Sequence, residues 1–81
     1  MKPPAHWQLD NNSIRREYRF ANFHETMAFV NALAWIAHQS NHHPDLEIGY
    51  NYCHIRFSTH DADGVTEKDI VAAKQVNALL E

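Results

Sequence analysis

The spacing of apolar and polar positions changes character repeatedly along this chain. Trp7-Gln8-Leu9 alternates briefly and runs into Asp10-Asn11-Asn12-Ser13, a cluster of turn formers. Ile14, Tyr18 and Phe20 then alternate with Arg15, Glu17 and Arg19, the period of a strand with one buried face. The two segments predict a hairpin. From about Phe23 to Ser40 the period is helical, with Met27, Val30, Ala34 and Ala37 in one stripe and Phe29, Leu33 and Ile36 in another. Two stripes exceed the needs of a single sheet face, so one is expected to cover the sheet and the other to meet a partner subunit. Asn41-His42-His43-Pro44 ends the helix, because proline disfavours helical geometry in the residue before it.

Leu46, Ile48 and Tyr50 alternate as a third strand, and a turn near Asn51-Tyr52 leads into a fourth over residues 53–60. Cys53, Ile55, Phe57 and Thr59 share one face of it, and His54, Arg56, Ser58 and His60 the other. After Asp61-Ala62-Asp63-Gly64, the run Thr66-Glu67-Lys68-Asp69 has capping-box form with Asp in place of Glu. It opens a last helix whose inner positions are Ile70, Ala73, Val76 and Leu80. The order β-β-α-β-β-α predicts an α+β fold: a four-stranded antiparallel sheet with its helices packed on one face.

Composition narrows the function classes. Eighty-one residues make a single domain spanning 1–81. So small a core often needs disulfides, metal or oligomerisation for stability, and the chain is expected to be oligomeric. Cys53 is the only cysteine, which excludes an intrachain disulfide and fits a reducing compartment. Met1-Lys2-Pro3-Pro4 lacks the form of a signal peptide, so a cytoplasmic location is expected. No apolar run approaches the ~18–20 residues that span a bilayer. A formal charge of −3 argues against nucleic acid as a partner, and Arg15, Arg16 and Arg19 read as a solvated strand face.

Histidine is the compositional oddity, with seven in this short chain. It is the side chain whose ordinary titration falls near neutral pH, which suits proton transfer or metal ligation. His42 and His43 fall at the end of the long helix and His60 at the end of the last strand, where loops carry function on a rigid frame. Together they offer an acid and a base. His6, His24 and His54 lack such context and read as structural or surface residues. His38 and His42, four apart, could also share a metal with His43, His60 or Cys53, but no His-Glu-x-x-His or Cys-x-x-Cys signature accompanies them. Cys53, on the core face of its strand, reads as an inert apolar residue.

The run His38-Gln39-Ser40-Asn41-His42-His43-Pro44-Asp45, followed by Tyr50-Asn51, Ser58-Thr59-His60-Asp61, Gly64 and Thr66-Glu67-Lys68-Asp69, resembles the pterin-4a-carbinolamine dehydratases. The similarity extends over residues 7–80. It implies dehydration of a 4a-hydroxytetrahydropterin to quinonoid dihydropterin in tetrahydrobiopterin recycling, without metal or organic cofactor. It implies His42, His43 and His60 as the catalytic trio, with His38, Asn41, Ser58, Thr59 and Asp69 around the substrate and Trp7 near the pocket. It also implies oligomers joined through edge strands and helices. His38 stands where many members have Glu, Leu46 where many have Trp, and six residues precede Trp7 where members commonly carry a helix. Two other readings remain at this point: a non-catalytic pterin-binding or interaction module of the same fold, and a histidine metal-binding module.

Overall fold

A computed structural model describes residues 2–81. Strands β1 (Gln8–Asp10), β2 (Ser13–Arg19), β3 (Asp45–Ile48) and β4 (Tyr52–Phe57) form one antiparallel sheet in the order β1-β2-β4-β3. Helix α1 (Phe23–Ser40) connects β2 to β3, and α2 (Glu67–Ala78) follows β4 after a short 3₁₀ turn, His60–Ala62. The sequential order is the predicted β-β-α-β-β-α.

The register sorts the side chains of the sheet onto two faces. Ile14 lies opposite Phe57, Arg16 opposite Ile55, and Tyr18 opposite Cys53. This face meets Phe29, Val30 and Leu33 of α1 and Ile70, Ala73 and Val76 of α2 in one buried core. The other face is charged. Arg15 and Arg56 lie opposite each other, a repulsive pairing relieved by Asp10, whose Oδ2 is 3.4 Å from Arg15 Nε and 2.8 Å from Arg56. Beside them His54 stands between Glu17 and Glu47, 3.1 and 3.2 Å from its two ring nitrogens.

Several boundaries differ from those the sequence predicts, each for a local reason. β3 stops at Ile48, and Tyr50 projects from the turn beyond it. A Cβ on Gly49 would sit 2.1 Å from the Tyr52 ring, which packs over the turn and would have to swing aside to admit a side chain there. β4 stops at Phe57, because Thr59 turns away to pair with Gly64 in an isolated bridge. Leu80 lies past the end of α2 and is exposed, while Ala72 takes an inner place. The two apolar stripes of α1 merge: Phe29, Val30, Leu33 and Ala37 are all buried within the monomer, and Ala34 is exposed. The exposed aromatics of this helix, Phe23 and Trp35, belong to neither stripe.

Candidate active site

Helix α1 ends in a way that turns its last residues back over the sheet. Asn41 adopts the left-handed conformation (φ 52°, ψ 39°), which asparagine tolerates better than most residues. The Asn41 amide donates to the His38 carbonyl and the His42 amide to the Ala37 carbonyl, closing the helix with a Schellman-type turn. His42 is thereby carried inward. Its ring lies nearly parallel to Phe57 of β4, with centroids 5.7 Å apart.

The ring of His42 meets an acid that belongs to a different element. Asp69, in the first turn of α2, is fully buried, and its Oδ1 lies 2.6 Å from His42 Nε2. A buried carboxylate is costly unless its oxygens are satisfied. Here Oδ2 accepts the Thr66 amide at 2.8 Å and the Thr59 hydroxyl at 2.8 Å. The Thr59 and Thr66 hydroxyl oxygens are 2.6 Å apart. Strand exit, helix start and helix end are thus joined through one carboxylate. Such a bond fixes both the plane of an imidazole and the nitrogen that carries its proton.

The other predicted residues do not join this cluster. His43 is exposed just before Pro44, and His60 is exposed at the start of the 3₁₀ turn. Among the described residues, no side-chain hydrogen bond links either of them to Asp69. Ser58 and Asn41 are exposed, and His38 lies on the last turn of α1 with its ring 5.9 Å from that of Trp35. A groove of about 400 Å³ beside His42 is lined by Asn41, Lys68 and Val71 among others. Trp7 is buried against Phe57, and its indole N–H donates to Asn77. Cys53 is fully buried, and burial pushes its thiol up to about 11. Among the described residues no three His, Cys, Asp or Glu side chains gather as a metal site.

Two members of the cluster carried no functional signal in the sequence. Phe57 reads there as a core strand residue and Thr66 only as a helix cap. The Thr-x-x-Asp spacing marks α2 correctly, but nothing in it says that the same carboxylate reaches a histidine 27 positions earlier.

Known proteins share both this sequence and this arrangement of elements. The family model for pterin 4 alpha carbinolamine dehydratase matches residues 1–79. A Legionella pneumophila protein described as a "putative pterin-4-alpha-carbinolamine dehydratase" is 55% identical over 76 residues, 91% of this chain and 67% of that protein. A crystal structure from Brucella melitensis, described as a transcriptional coactivator/pterin dehydratase, superposes with a TM-score of 0.86 at 34% identity, covering 91% of this chain and 81% of that one. A pterin dehydratase-like protein described as a RuBisCO assembly factor in the alpha-carboxysome shares the fold, with a TM-score of 0.74 at 24% identity over 90% of this chain and 84% of its own. With the family model matched almost end to end and this level of identity to its relatives, the chain belongs to the pterin-4-alpha-carbinolamine dehydratase family.

Proposed function

We propose that this chain is a dehydratase converting a 4a-hydroxytetrahydropterin to quinonoid dihydropterin by histidine acid/base catalysis. The observation that carries the reading is the clamp on His42: a half-buried imidazole held by a fully buried carboxylate at the mouth of a groove. A clamped ring of this kind is a means of presenting one nitrogen to a reacting proton.

The reaction asks for two proton transfers. A general acid protonates the C4a hydroxyl, the C4a–O bond breaks and water leaves, while the N5 lone pair forms the N5=C4a double bond. A base then takes the N5 proton. The products are water and the quinonoid dihydropterin, so atoms balance without an oxidant or cofactor. In this proposal His42, His43 and His60 share the two transfers, and His38, Asn41, Ser58 and Thr59 line the pterin. Exposure of His43 and His60 suits groups that meet a ligand arriving from solvent. The setting is tetrahydrobiopterin recycling in the cytoplasm, by a homodimer or homotetramer.

The test is an assay of chemically prepared 4a-hydroxytetrahydropterin, followed by absorbance. The wild-type protein should accelerate its loss, and His43→Ala should lower kcat by roughly 10²-fold, the scale of one acid/base group. Equal rates for wild type, His43→Ala and buffer would sink the enzyme reading and leave a binding module of the same fold.

A further inference from the structure

We infer that Thr66 is a positioning residue of this site: its hydroxyl ends a directed hydrogen-bond chain that holds His42 as the Nε2–H tautomer. Nδ1 is then the nitrogen that exchanges a proton with a ligand. The catalytic consequence rests on the dehydratase proposal; the tautomer does not.

The direction of the chain follows from counting hydrogens. A threonine hydroxyl has a single hydrogen to donate. That of Thr59 is committed to Asp69 Oδ2, at 2.8 Å. The Thr59 oxygen is also 2.6 Å from the Thr66 oxygen, so in that contact Thr66 must be the donor. Asp69 Oδ2 additionally faces the Thr66 amide, which can only donate. With two donors on Oδ2, the carboxylate is set up to accept at Oδ1 as well, from Nε2–H of His42. The order is Thr66 hydroxyl to Thr59 hydroxyl to Asp69 carboxylate, with His42 donating from the far side.

The same chain reaches the second histidine. Thr59 immediately precedes His60, and its amide donates to the Gly64 carbonyl at 2.8 Å, closing the loop on which His60 stands. Slack at the Thr59 hydroxyl would therefore loosen the root of the His60 loop as well as the clamp on His42. Removing the Thr66 hydroxyl leaves its amide bond to Asp69 in place but takes away the one donor that orients Thr59. The Thr66 hydroxyl also accepts from the Asp69 amide as the cap of α2, and accepting there leaves its one hydrogen free to donate to Thr59.

The experiment combines nitrogen-15 NMR of the histidine rings with the dehydratase assay, on the full chain. Wild type should show neutral His42 with Nε2 protonated and Nδ1 bare. Thr66→Val leaves both donors on Asp69 Oδ2, so His42 should stay protonated on Nε2, but the slackened clamp should broaden its ring resonances, shift the acidic limb of the kcat–pH profile and lower kcat roughly 10- to 100-fold, with KM little changed, as expected for a misplaced catalytic group. Thr66→Ser, which keeps the hydroxyl, should restore all of these. Asn22→Ala removes the side-chain cap of α1 instead and should weaken folding while leaving tautomer and kcat alone. His42 protonated on Nδ1 in wild type would overturn the inference, as would a Thr66→Val protein indistinguishable from Thr66→Ser. If the His42 resonances broaden in Thr66→Val as expected but wild type has no activity, the positioning stands and the dehydratase proposal falls.

Discussion

Cys53 lies opposite Tyr18 in the register and opens no path to solvent, so its thiol serves the core. Burial pushes it up to about 11 from 9.0. The consequence for stability has a definite sign. Below about pH 9 the folded and unfolded chains both hold the proton. Between about 9 and 11 the unfolded chain loses it first, so stability falls as pH rises, by about 3 kcal/mol if the full shift is expressed. Tyr18 is likewise raised from 10.0, chiefly by burial and against the opposing charge of Arg16, and its hydroxyl has no hydrogen-bond partner among the described residues. It adds to the same decline at higher pH. Urea melts of wild type should therefore weaken from pH 9 upward, and Cys53→Ala should be less stable at pH 7 but flat between pH 9 and 10. A wild-type midpoint constant from pH 8 to pH 11 would refute this account.

At the scale of elements, the informative boundary is the end of α1. Asn41 carries two burdens, a left-handed backbone and a place at the rim of the groove. Substitution separates them. Asn41→Gly accepts the same φ without strain and should keep the melting temperature, whereas Asn41→Ala should lose about 1–2 kcal/mol. Under the dehydratase proposal both variants lose the side chain and both should raise KM. A KM unchanged in Asn41→Gly would remove Asn41 from the pterin pocket. The sequence makes this helix end visible through Asn41 and Pro44, as it does the alternation of β2 and β4 and the start of α2. It does not show where strands stop, since Ser58-Thr59-His60 continues an alternating pattern that the backbone abandons for the Thr59–Gly64 bridge. Nor does period alone reveal contact between elements. His42 and Asp69 are each visible as residues at helix ends, but their bond depends on how α1 and α2 cross the sheet. Resemblance brought them into one list; packing joins them.

The whole molecule is closed by a second convergence, remote in sequence and built on Asn77 of α2. Its Oδ1 accepts the Trp7 indole N–H at 2.7 Å and an Arg16 N–H at 2.6 Å, and its amide donates to the Ala5 carbonyl at 3.0 Å. One side chain thus ties the segment before β1, the strand β2 and the helix α2. Trp7 is 4% exposed, and its N–H depends on Asn77 for a partner. An unsatisfied buried donor costs about 1–3 kcal/mol. Asn77→Ala should therefore destabilise the fold by about 2 kcal/mol, roughly 10 °C in a domain of this size. Asn77→Asp should cost less, because it keeps an acceptor for Trp7 and pairs with Arg16, losing only the bond to Ala5. Fluorescence distinguishes local release of the Trp7 segment from general loosening. Trp35 is 61% exposed and masks Trp7, so the measurement belongs in a Trp35→Phe background. There, Asn77→Ala should shift native emission to the red, and Asn77→Asp should hardly move it. Because Trp7 packs at a tilt against Phe57 and Phe57 stacks on His42, release of the tryptophan should also be felt at the candidate site, as broadened His42 ring resonances. An Asn77→Ala protein with unshifted emission and a melting temperature within about 2 °C of wild type would show that the clasp contributes little.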